Sequence, residues 1–118
     1  MKRFIGVMLT LSILFCFSSE VLAFDNKKAD DALASVGNYL YETVKEPLVA
    51  SIGGEWTVLG LARCDMDIPD EYFENYYQRV TRYVKYCGGV LHNKKYTEYS
   101  RVSVALTAIG KNPKDVAD

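Results

Sequence analysis

The chain has 118 residues, a net charge of −1 and apolar side chains at 49% of its positions. That balance excludes the concentrated basic footprint of most nucleic-acid binders and the polybasic contact of a membrane-surface protein. A chain of this length can bury one modest core.

Residues 1–23 have the three parts of a secretory signal. Lys2 and Arg3 supply a positive start, Phe4 to Phe17 is an apolar run, and Val21-Leu22-Ala23 gives the small-residue ending that a signal peptidase needs. The run is shorter than the roughly 20 residues of a membrane span. Cys16 invites lipidation, but Phe15 stands before it where a lipoprotein signal has a small residue. Cleavage after Ala23 is therefore expected, with export to the cell surface or beyond and no stable span in the product. Without Lys2, Arg3 and Glu20, the remaining domain, 24–118, has 12 Lys+Arg against 14 Asp+Glu.

That domain reads as all-α. Asp25 or Asn26 can cap a first helix whose stripe is Ala29, Leu33, Val36, Leu40 and Val44, ending near Glu46 because Pro47 removes a donor. A loop leads to a shorter, more apolar helix from about Glu55 to Cys64. Pro69 opens a third helix, with Asp70, Glu71 and Glu74 near its positive end and Tyr72, Phe73, Tyr76, Val80, Tyr83, Val84 and Cys87 along one stripe. Gly88-Gly89 terminates it as a left-handed cap. Thr97 can cap a fourth helix carrying Tyr99, Val102, Ala105, Leu106 and Ile109, closed by Gly110 and Pro113. Polar and apolar helices thus alternate, and the two apolar ones match at a shift of 46 residues, with Val102 where the first has Trp56. A repeat of that length marks an array of helical hairpins.

The stretches "SIGGEWTVLGLAR", "PDEYFENYYQRVTRYVK" and "GGVLHNKKYTEYSRVSVALTAIGKNPKDV" resemble secreted bacterial proteins with prenyltransferase/squalene-oxidase-type repeats, of the terpenoid cyclase-like α/α-toroid class. The resemblance implies a ring of hairpins with the apolar helices inside, around a cavity. Two hairpins do not close such a ring. An incomplete α/α toroid is therefore expected, either the amino-terminal fragment of a longer toroid or a self-complementing oligomer. Its partners would be the remaining hairpins or further copies.

In such an array the inner helices run parallel, so "IGGEW" and "KKYTEYSR" meet at one end. There Glu55, Trp56, Tyr96, Glu98, Tyr99 and Arg101 are candidates to line the mouth of a cavity that takes a small hydrophobic or carbohydrate ligand. Packing offers another role for them: Glu55 beside the positive end of its helix, Trp56 filling the space between hairpins, and Glu98 with Arg101 as a local surface pair. Specific chemistries find less support. "DMDIPD" fails as a calcium loop, because Asp70 stands where glycine is needed and Tyr76 where Glu is needed. The zinc that prenyltransferases of the class use lacks a ligand set, since only His92, Cys64 and Cys87 are offered. Lyase chemistry by β-elimination finds His92, Asn93, Tyr96, Tyr99 and Arg101, all crowded into one stretch. No cofactor is implied. Cys64 and Cys87 form an even pair, but antiparallel neighbouring helices would hold them roughly 25 Å apart, so two free thiols are expected. The reading is an exported interaction or ligand-binding module. Its alternative is a fragment of an enzyme, cyclase- or prenyltransferase-like, or a polysaccharide lyase.

Overall fold

The computed structural model describes residues 26–116. The expected signal segment, Cys16 and the capping candidate Asp25 lie outside the described residues. Within them all regular structure is helical: α1 Asn26–Thr43, α2 Ile52–Arg63, α3 Asp70–Tyr86, α4 Tyr96–Ala108, and a one-turn 3-10 helix Pro113–Val116. The fold is all-α.

Helix ends show why the boundaries fall where they do. α2 begins a turn earlier than Glu55 because Ser51 caps it. The Ser51 hydroxyl accepts from the Gly54 amide at 2.9 Å and donates to the Leu48 carbonyl at 2.8 Å. Gly53 and Gly54 are thus inside the helix. Gly54 must lack a side chain, because a Cβ there would collide with the Leu48 carbonyl oxygen. Pro69 stands as the cap residue of α3, just before the first turn.

α3 ends in a Schellman motif, with Gly88 at φ 61° and Gly89 at φ 81°, the Gly89 amide bonding Val84 O and the Gly88 amide bonding Lys85 O. α4 ends the same way at Gly110, where the Lys111 amide reaches Leu106 O at 2.9 Å. Its start differs from expectation. Thr97 lies within the first turn, Lys95 is the cap residue without a side-chain bond, and His92 Nδ1 accepts from the Lys94 and Lys95 amides at 3.0 and 3.1 Å. The ring nitrogen ties the loop where a hydroxyl cap was expected.

The contacts between elements fix their directions. Gly37 of α1 meets Met66 and Cys64 beyond the end of α2, whereas Leu48 abuts Gly54 at its start, so α1 and α2 are antiparallel. Lys111, past the end of α4, bonds Glu74 near the start of α3 at 2.8 Å, so this pair is antiparallel too. Among the described helices, α2 and α4 are in the most extensive contact, and they run in the same direction, as expected. One core joins Val58 of α2, Tyr76 and Val80 of α3, and Val102, Ala105 and Leu106 of α4, with Val116 folded over it. A second joins Leu61, Ile68 and Tyr72, with Leu40 and Tyr41 against it. Full burial of such a side chain contributes about 1.5–3 kcal/mol.

Three expectations need correction. The stripe on α1 is only half used: Leu40 packs, but Leu33 and Val36 are 51% and 55% exposed, because α1 runs on past the hairpin that covers its end. Trp56 is 52% exposed and does not fill the space between the hairpins. The buried faces of α2 and α4 correspond at a shift of 44 residues, Ile52 to Tyr96, where the buried Val58 and Leu61 fall on the buried Val102 and Ala105. The 46-residue match aligned letters, and the shift of 44 aligns the faces that pack.

Candidate functional site

The polar feature of the interior is the meeting of Glu55, Tyr76 and Arg101. Glu55 is carried in the first turns of α2 and is 1% exposed. Tyr76, at the middle of the α3 stripe, donates its hydroxyl to Glu55 Oε1 at 3.3 Å. Arg101 of α4 brings Nε to 3.5 Å from Oε2, and its side chain is 15% exposed. Neither of these last two atoms makes a well-aligned hydrogen bond. The ion pair is therefore held by charge more than by bonding geometry.

Burial raises the Glu55 carboxyl above its ordinary 4.5, against the opposing pull of the Ala50 amide, the Tyr76 hydroxyl and the Arg101 guanidinium. Ala50 is at φ 56°, the left-handed region, which costs a residue with a side chain about 1 kcal/mol. The Tyr76 hydroxyl is pushed up as well, first by burial and then by the Glu55 charge. At the α3 amino end, burial lifts the Tyr72 hydroxyl to about 12 while it donates to Val44 O at 2.8 Å.

The six candidates from the sequence do not gather into one site. Glu55 and Arg101 come together, the acid buried and the guanidinium reaching solvent at its edge. The expected local pair of Glu98 with Arg101 does not form, because Arg101 turns to the more deeply buried acid on α2. Tyr96 and Tyr99 stand 6.4 Å apart with rings tilted by 35°, Tyr96 77% exposed and Tyr99 half-buried. Trp56 lies on the outer strip with Tyr96. Ile52, Trp56 and Gly60 on α2, and Tyr96, Ser100 and Val104 on α4, are all exposed. These positions correspond pairwise at the 44-residue shift and lie opposite the buried face of each helix.

Tyr76 was missed as a polar partner because a tyrosine on an amphipathic stripe reads as packing. The available signal was that its hydroxyl, at the centre of the stripe, needs a partner, and Glu55 is the acid of α2. His92, weighed as a ligand or a charge neutraliser, is occupied as a loop cap. Cys64 and Cys87 are free thiols, and Cys64 Sγ lies 3.1 Å from Leu61 O. Among the described residues no three His, Cys, Asp or Glu side chains are grouped to hold a metal ion, and no helix is long and apolar enough to cross a membrane. Comparisons of the chain with family models, with curated proteins and with solved structures return no match.

Proposed function

We propose that this chain is an exported helical-hairpin module of the α/α-toroid kind, binding a ligand or partner through the uncovered face of α2 and α4. The observation that carries the reading is the in-register strip of Ile52, Trp56, Gly60, Tyr96, Ser100 and Val104 on two parallel, adjacent helices. Inner helices of a hairpin ring turn such a strip toward its cavity, and contiguous exposed apolar surface is characteristic of contact sites. Trp56 and Tyr96 suit an apolar ligand or the face of a sugar ring. Further hairpins of the same kind, or a second copy, would frame the cavity. Glu55 and Arg101 serve this face from beneath by joining the two helices that present it.

The experiment is titration of the purified chain with anilinonaphthalene sulfonate, read by energy transfer from Trp56, the one tryptophan of the sequence. Saturable binding that is lost in Ile52→Glu and Val104→Glu, with helix content retained, is the expected result. Absence of binding, or binding indifferent to both substitutions, rejects the reading. Export is tested separately by mass spectrometry of protein recovered outside the cytoplasm. A chain beginning at Phe24 is expected, and one beginning at Met1 or at a lipid-modified Cys16 contradicts it.

A further inference from the structure

A concavity lies away from the α2/α4 strip, between the end of α3, the side of α4 that carries Tyr99 and Ser103, and the 3-10 turn. Its volume is about 150 Å³, and Val84, Leu91, Val102, Leu106 and Val116 supply an apolar wall. Val102, Leu106 and Val116 belong to the core itself, so the floor is fixed by packing. The rim is fixed as well. The Schellman motif holds Gly89 on one side, and on the other Asn112 bonds both the Lys114 amide and the Asp115 carboxylate to set the turn that carries Val116.

Tyr99 and Ser103, one turn apart on α4, complete the lining. Neither hydroxyl has a hydrogen-bond partner among the described residues, whereas Thr57, Thr81, Ser100 and Thr107 all bond back to their own helices. We propose that this recess is a binding site for one small, largely apolar molecule of about the size of a six-membered ring that carries a hydroxyl group. Size sets the first part of that assignment. An open recess of about 150 Å³ has room for a benzene-sized molecule, and a drug-sized ligand needs at least twice the space. The two free hydroxyls set the second part, because an apolar ligand or a partner's aliphatic side chain would leave them without a bond, and a hydroxylated ring satisfies one or both.

The test is a titration of the purified full chain with phenol and, separately, with toluene, followed by the methyl resonances of Val102 and Leu106. Phenol is expected to shift these methyls saturably and to bind about fivefold more tightly than toluene, the worth of one hydrogen bond. Ser103→Ala should cut that preference to less than about twofold, and Ser103→Phe, which fills the recess, should abolish both titrations. Ser103→Leu serves the same end with less added volume if Ser103→Phe does not fold. No saturable shift with phenol, equal affinity for phenol and toluene in the unsubstituted chain, or binding that survives the filling substitution would each overturn the proposal. Trp56 emission stays constant throughout if the sites are separate, so failure here leaves the α2/α4 reading standing.

Discussion

Glu55 is buried beside Arg101, and the burial has a measurable sign. Burial raises its folded carboxyl pKa above 4.5, so the folded chain takes up the proton before the unfolded chain does as pH falls. Its contribution to stability therefore rises as pH drops through the folded value toward 4.5, and is level above and below that window. Glu55→Gln keeps the shape and the Tyr76 hydrogen bond without the charge. It should leave stability at neutral pH unchanged or raised by up to about 1 kcal/mol, and should flatten the pH dependence. Arg101→Met does the opposite, leaving the buried carboxylate alone. A loss of about 1–3 kcal/mol is expected at neutral pH, reduced below the full value for a buried pair because Arg101 reaches solvent. That loss should shrink near pH 4, where Glu55 is protonated. Denaturant unfolding of both variants at the two pH values checks this, and an equal loss from Arg101→Met at both would contradict it. Both residues stood out in the sequence by type and by place at helix starts. Their partnership did not, since Glu98 lies three residues from Arg101 and only the α2–α4 contact decides between the two acids.

At the scale of the helix, the glycines of α2 separate packing from propensity. Gly54 is pressed against the Leu48 carbonyl, which is itself fixed by the Ser51 hydroxyl, so nothing there can yield to a methyl group. Gly54→Ala should destabilise by about 2–3 kcal/mol despite the better helix propensity of alanine. Gly60 faces open space, so Gly60→Ala should stabilise by up to about 1 kcal/mol. Thermal unfolding of the two variants should move in opposite directions, and movement in the same direction would put the α2 boundary elsewhere. Helix number, order and the stops at Gly88-Gly89 and Gly110 were legible because those residues act through local backbone chemistry, whereas α1 ends at Thr43, before the stop that Pro47 set near Glu46. The starts of α2 and α4 were less legible. Ser51 capped from outside the apolar run, and His92 tied the loop before α4, a role that no helix pattern announces.

At the scale of the molecule, hairpin packing makes a definite statement about the thiols. Cys64 follows α2 and Cys87 follows α3, at opposite ends of the α3 helix, so denatured, unreduced protein processed after Ala23 should titrate two thiols per chain. None in a monomer would contradict the antiparallel order of α2 and α3. The alternation of polar and apolar helices was legible in the sequence. Which positions of α2 and α4 pack was not, because sequence similarity weighs exposed and buried positions alike, whereas packing counts only the faces of Val58, Leu61, Val102 and Ala105.

The central claim is that α2 and α4 are parallel, adjacent and in register, presenting one strip. Spin labels at Ile52→Cys with Tyr96→Cys, and at Gly60→Cys with Val104→Cys, test it most directly, in a background with the native cysteines replaced by alanine. Parallel helices in register predict two short distances, alike within a few ångströms at an interaxial spacing of about 8–10 Å. An antiparallel pair centred on the strip would offset both labelled pairs by about 12 Å along the axis, eight residues at about 1.5 Å of rise, and a shifted parallel pair would lengthen both distances alike. Two long distances, or two that differ, would contradict the account.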